Sequence, residues 1–318
     1  MKIRKEYLIL IAIILALSLY LTLRNPDRAL YSLPQFPDLS KKDISKIEII
    51  LKDTTITLER REDHWDITPH GYRADDTKVE KMLDLLSGLT LTALVSESKK
   101  YERYELNSDK KITVKAWKEN TLQREFDVGK AASSYRHTFI RIAGNDRVFH
   151  AHGNFRGDFD QTTDKLRDKA VLSFDSSQIR EIRIATGSQS MELIRKQISG
   201  EVVDDEQQPP PEAKKEWESP DGRRVEEAGL MRLLMDLSKL KCDKYIYGRD
   251  KDEFVNPVCT VRLKGEKEYT LSIFAKSDKS DKTYPAISSE NDYPYLLPER
   301  QVDKIMKAPD EILKKPDE

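Results

Sequence analysis

Cysteine is scarce in this chain of 318 residues: Cys242 and Cys259 are the only two. Two thiols are too few for a disulfide framework or a cysteine zinc site. A net charge of either sign is also missing. Fifty-five Lys and Arg face 56 Asp and Glu, for a formal net charge of -1. Such a balance offers no general attraction to acidic lipid or to nucleic acid, so nucleic acid is not an expected partner. No Gly-x-Ser-x-Gly elbow occurs, which leaves Ser133 and Ser134, near His137, without a device that would position a nucleophile. "VGKAASS" from Val128 lacks the earlier Gly of a phosphate loop and has Ala after Lys130 where Ser or Thr is needed.

An apolar content of 38% is enough for one large core or two modest ones. The longest apolar stretch is "YLILIAIILALSLYLTL", Tyr7 to Leu23, preceded by Lys2, Arg4 and Lys5. Its 17 residues reach the short end of what spans a bilayer. The run continues past the small pair Ala16 and Ser18, which favours an uncleaved anchor over a removed signal peptide. The basic tip is expected to stay cytoplasmic. The bulk of the chain is then extracytoplasmic, at the periplasmic side of the inner membrane. Residues 1–24 are thus expected to form a cytoplasmic tip and transmembrane helix. Residues 25–43, with Pro26, Pro34 and Pro37, are expected to form an extended stalk.

The remainder repeats. At an offset of 135 residues, Ile44, Ile47, Ile49, Ile56 and Leu58 match Ile179, Ile182, Ile184, Met191 and Leu193. Alternation at period two within each set reads as half-buried strands in a hairpin. Trp65 then pairs with Trp217, after a Pro-rich, acidic insertion at 199–215 that reads as an exposed loop. Val79, Met82, Leu83 and Leu86 match Leu230, Leu233, Leu234 and Leu237, each set one apolar helical stripe. Thr77 and Glu80 suit a capping box at the first helix. Thr113-Val114 match Thr260-Val261, and Asn145-Asp146 match Asn291-Asp292 as turn residues. The expected fold is α+β: two tandem similar subdomains, 44–170 and 171–318, of mainly antiparallel sheet. Each has one packed helix after its third strand and a short helix at its end.

The order of Trp65, the Leu-rich helix, "YEL" at Tyr104 to Leu106, "FDVGK" at Phe126 to Lys130, "YRHTFIR" and "LRDKAVLSF" resembles a bacterial family known as domain of unknown function 4340. The family's typical Gly in "YGL" is Glu105 here, and the Pro that follows it is absent. The resemblance implies a membrane-anchored envelope protein, often encoded beside ABC-type transport or gliding-type auxiliary components. It implies no catalytic residues and no cofactor.

"HAHGNFRGDFDQTTD" holds the best candidate site residues. His150 and His152 share one side of a strand, and Asp158, Asp160 and Asp164 follow, the residue types that hold zinc or another divalent ion. No third His lies close in sequence, Leu296 stands opposite His150 in the second copy, and Thr163 occupies the Gly position of a calcium loop. "YERYE" from Tyr101 and "YPYLLPER" from Tyr293 combine aromatic and charged residues as interfaces do. Cys242 and Cys259 could pair outside the cytoplasm, though their counterparts in the first copy are not Cys. The expected function is non-enzymatic: a membrane-anchored accessory or scaffold protein, working with an ABC-type transporter or other envelope components. A metal-dependent hydrolase at the His150 region and a ligand sensor using a cleft between the copies are the alternatives.

Overall fold

Apolar and charged residues alternate from Lys46 onward, and that alternation organises the first half of the chain. In the computed structural model, which describes residues 5–23, 31–187, 189–198 and 214–314, Ile47 and Ile49 turn into a core while Lys46 and Glu48 stay half exposed. The expected loop at 199–215 lies outside the described residues except for two backbone positions, as do Lys2, Arg4 and Arg24.

Contacts divide the chain into two units, Met1–Leu166 and Arg167–Glu318. The first contains α1 (Lys5–Leu23), β1 (Lys46–Ile50), β2 (Thr55–Arg60), β3 (Trp65–Thr68), β4 (Tyr72–Arg73), α2 (Asp76–Gly88), β5 (Leu91–Ser96), β6 (Ile112–Lys118), β7 (Thr121–Ala131), β8 (His137–Ile142), β9 (Val148–His152), α3 (Arg156–Phe159) and α4 (Thr163–Leu166). Its nine-stranded sheet runs β4-β3-β2-β1-β6-β7-β8-β9-β5, antiparallel at each junction. Val79, Met82, Leu83 and Leu86 of α2 are buried in the core with Ile47, Ile49, Val114 and Phe126.

The second unit contains β10 (Ala170–Ser173), β11 (Glu181–Thr186), β12 (Gln189–Ile198), β13 (Lys214–Glu218), α5 (Glu227–Leu237), β14 (Lys239–Lys241), β15 (Lys244–Tyr245), β16 (Cys259–Lys264), β17 (Glu268–Ile273), β18 (Thr283–Ser288), β19 (Asn291–Pro298) and α6 (Glu299–Ile312). Its eight-stranded sheet runs β13-β12-β11-β16-β17-β18-β19-β15. Reading β11 for β1 and β16 for β6, this is the order of the first sheet without β4. The registers agree as well. Ile49 faces Ile56 and Val114, as Ile184 faces Met191 and Val261. Arg60 lies opposite Trp65 with its guanidinium 4.7 Å from the ring, as Arg195 lies opposite Trp217 at 5.7 Å. The fold is mostly antiparallel sheet with a few helices, which places it as α+β or mainly β. The unit boundary falls four residues ahead of the expected join at 170/171, because Ala170–Ser173 pairs with β14 of the second unit.

Three details differ from the sequence expectations. α1 forms, but at about 1.5 Å per residue its 19 residues measure roughly 28 Å. That falls just under the roughly 30 Å apolar layer of a bilayer. Among the described residues no helix is long and apolar enough to cross a membrane, which corrects the expected spanning helix. The N-terminal cap of α2 is Asp75, not Thr77: the Asp75 carboxylate accepts from the Thr77 and Lys78 N–H groups at 3.0 and 3.2 Å, two residues ahead of the expected box. Glu226 caps α5 in the same way, accepting from the Gly229 N–H. α6 is longer than the short closing helix expected, 14 residues with Val302, Ile305, Ala308 and Ile312 buried. The two cysteines are both buried, and neither is in a disulfide. Three strands, β17, β18 and β19, separate Cys259 from the edge at which Cys242 lies, so the pair is far beyond disulfide reach.

The segment expected as a stalk also departs from expectation where it is described. Leu39 is buried in the first core, and Leu33 and Phe36 pack against it. Arg124, only 4% exposed, fastens this segment: it donates to the carbonyls of Pro37 (2.9 Å) and Leu86, with its guanidinium 5.2 Å from the Phe36 ring. Arg124→Ala is expected to lower stability by about 2–3 kcal/mol, the scale of charge-assisted hydrogen bonds lost in a buried site. It should also expose residues 31–40 to protease. Denaturant unfolding and limited proteolysis check both effects; a variant with wild-type values would show that the clamp carries no energy.

Candidate functional site

A short 3-10 turn at Tyr101–Tyr104 lies across the outer face of the first sheet. Arg141 sits 4.6 Å from the Tyr101 ring, and the Tyr101 hydroxyl donates to the Asp146 carbonyl at 3.0 Å. Glu105 closes the turn at φ 56, so the position where the family has Gly does adopt the left-handed conformation that Gly tolerates best. Leu106 is then buried against Gly129 of β7. A Cβ on Gly129 would collide with the Tyr104 carbonyl oxygen, so this glycine makes room for backbone rather than for phosphate. Next to it Asp127, nearly buried, accepts from Thr113 Oγ1 (2.6 Å), Lys111 Nζ (3.1 Å) and both Nε and Nη2 of Arg141 (3.1 and 2.6 Å). Those donors satisfy the carboxylate and tie the outer faces of β6, β7 and β8 together.

Between the turn and the β7–β8 tip opens a cleft of about 550 Å³, lined by Arg103, Tyr104, Lys130, Ser133, Tyr135 and Phe139 with two alanines. Three stretches far apart in sequence, "YEL", "FDVGK" and "YRHTFIR", contribute to it. From there a row of rings crosses β8 and β9. Tyr104 lies 4.9 Å from Phe139, Phe139 4.8 Å from His150, His150 5.2 Å from His137, and His137 6.0 Å from His152.

His137 is therefore the third histidine that sequence distance hides. The signal was present: residues equidistant from the Gly144-Asn145 turn face each other, so His137 pairs with His152 and Phe139 with His150. His137 stacks on His150 and meets His152 edge-on, and among the described residues no group of three His, Cys, Asp or Glu could hold a metal ion. The carboxylates lie elsewhere. Asp158 is half-buried on α3, and burial pushes its carboxyl upward against the pull of Lys81. Asp160, 3.7 Å from Arg156, and Asp164 line a separate cleft with Lys52, Asp53 and Asp109. Ser134 accepts from the Arg136 N–H at 3.4 Å, and neither it nor Ser133 is hydrogen-bonded to His137. Tyr293 stands 4.8 Å from the Arg167 guanidinium in the second unit.

His150 Nε2 is buried without a hydrogen-bond partner. Burial, then the charge of His137, holds this imidazole below its ordinary value near 6.5. The neutral form is thus favoured in the folded chain. Its contribution to stability is complete above the unfolded value, roughly 6.5, and is lost as pH falls towards the folded one. His150→Phe removes the unpaired nitrogen and keeps a ring. Its thermal midpoint is expected to fall less than that of the wild type between pH 7.5 and pH 5.5, by roughly one titrating group; equal falls would show that His150 is not the acid-sensitive group. Gly129→Ala is expected to cost about 1–3 kcal/mol, since the Tyr104 backbone must move. Glu105→Gly should hold or raise the midpoint by relieving the left-handed residue. Thermal unfolding of the two variants tests the packing of the turn on β7.

No curated protein and no solved structure matches the chain. A family model described as domain of unknown function (DUF4340) matches residues 65–257, which takes in Trp65, the turn over Gly129, the ring row and the second unit up to just ahead of β16. The match covers more than half of the sequence, and the chain belongs to the DUF4340 family.

Proposed function

We propose that this chain is a non-enzymatic accessory or scaffold protein held at the cytoplasmic membrane by its N-terminal segment. Its two sheet units lie on the extracytoplasmic side, where they work with an ABC-type transporter or other envelope components. The observation that carries the reading is the surface of α1. Ile9, Leu10, Ile11, Ile13, Ile14, Leu15, Leu17, Leu19, Tyr20 and Leu21 are each more than half exposed. A helix that is apolar all round is ordinarily buried in a core or in lipid, and neither hydrophobic core includes a residue of α1. Leaving that surface in water is costly at about 25 cal/mol per Å², and the apolar layer of a membrane removes the cost. The non-enzymatic part of the reading is supported by the site's chemistry: His137 and His150 stack, its serines stand apart from them, and its buried carboxylate Asp127 is already saturated with donors.

The full chain is expected in the membrane fraction, resistant to alkaline carbonate and released by detergent. Removal of residues 1–23 should shift it to the soluble fraction. Protease added to spheroplasts should degrade the body of the protein. A wild-type chain in the soluble fraction sinks membrane attachment, and a protease-protected body in membrane-bound protein sinks the extracytoplasmic side.

A further inference from the structure

The cleft beside the Tyr101–Tyr104 turn is cationic. Nearby, Lys99 pairs with Asp146, Lys110 with Glu105 at 3.3 Å and Lys111 with Asp127 at 3.1 Å. Arg103 and Lys130 line the cleft, and among the described residues neither takes part in an ion pair. No Asp or Glu lines it. Its walls are rings, Tyr104, Phe139 and Tyr135, the last 73% exposed at φ 55 on the hairpin tip. A bulky aromatic held in the left-handed region costs on the order of 1 kcal/mol, and its ring gains no burial in return. Exposed Tyr and Arg beside apolar walls are the residues that anchor protein contacts.

The shape selects the class of ligand. The cleft is open, and it continues into the half-exposed row Phe139, His150, His137 and His152 across two strands. A small molecule requires enclosure over most of its surface, which an open trough does not supply. An extended chain, advancing about 3.3 Å per residue with alternate side chains on one side, fits a row of rings flanked by cations. We propose that this trough binds an extended segment of a partner protein whose acidic and aromatic residues fall at every second position, and so on one side. Its carboxylates are taken by the Arg103 fork and the Lys130 ammonium, and its rings lie against Tyr135 and Phe139. Among the described residues the second unit does not repeat this construction. Strand register places Phe274 where the first unit has Gly129, and Phe274 is buried, 5.4 Å from Phe254.

The proposal stands apart from membrane attachment, because its test uses the purified full-length chain in detergent. The probe is a fluorescein-labelled pentapeptide, Asp-Ser-Phe-Ser-Asp, which when extended puts its carboxylates and its ring on one side, read by anisotropy. Two controls replace aspartate by lysine, or phenylalanine by serine. Saturable binding with Kd on the order of 100 μM is expected, weakened about tenfold or more in both controls. The double variant Arg103→Ala with Lys130→Ala should lose about tenfold and Tyr135→Ala a smaller factor, while Lys279→Ala, on an exposed loop of the other unit, should bind as the wild type does. All altered side chains other than the controls' are exposed, so unchanged thermal midpoints will separate lost binding from lost folding. The proposal is overturned by absence of saturation up to about 1 mM, by equal binding of the lysine peptide, or by an unaffected double variant. Inorganic phosphate displacing the peptide at equal concentration would also overturn it, in favour of a site for small anions.

Discussion

A twisted antiparallel sheet of eight or nine strands has to hide one face from water, and that requirement orders both units. The hidden face is chosen by alternation: Ile47, Ile49, Ile56 and Leu58 in one unit, Ile182, Ile184, Met191 and Leu193 in the other. One amphipathic helix per unit supplies the cover, entering after the third strand with a carboxylate cap, Asp75 or Glu226. Once the inner faces are set, every residue between them in sequence is forced to the outer face. Asp127, Gly129, Phe139 and His150 stand outside for that reason, next to Phe126, Val128, Ile140 and Phe149, which do not. The candidate site is thus a by-product of the same alternation that builds the core.

This explains what was legible in the sequence. Periodic signals are local, so the strands, the Leu stripes of α2 and α5 and the paired tryptophans could be read without knowing any distant contact. The order in which the strands pair was not readable, yet it decides which outer-face residues meet. His137 joins His150 and His152 only when β8 folds back on β9. Leu33 and Phe36 read as part of a Pro-marked stalk because nothing local shows that Arg124, nearly ninety positions away, reaches back to Pro37. The cleft around Arg103 and Lys130 was missed for the same reason, since its walls come from a turn and a hairpin tip that neither alternation nor helical spacing describes. The apolar N-terminal run was easy to see, but a run of the right composition settles neither its length as a helix nor what covers it.

Having one topology twice also shows where the chain has been free to differ. The registers of the inner strands agree in both units up to the shift at Ala116/Trp117, which the β16–β17 pair lacks. The outer faces are not. His150 and Leu296 occupy one position of the shared plan: Phe149 and Tyr295, just before them, face Leu94 and Tyr245 across the edge. At another position Gly129 makes room for the Tyr104 backbone, where the second unit has the buried Phe274. The core therefore tolerates little variation, while the outward surface carries whatever distinguishes one unit from the other.

The outermost strands have a consequence for how the protein behaves in a crowded compartment. An open sheet presents unpaired backbone groups at each border, a standing invitation to polymerise. Here the borders are poor templates. β4 and β15 are two residues long, β5 is interrupted by two register shifts, and β13 opens with Lys214 and Lys215. Two wide sheets can thus sit side by side with many copies of themselves without zipping into fibres, and solubility at high local density is built into the rims.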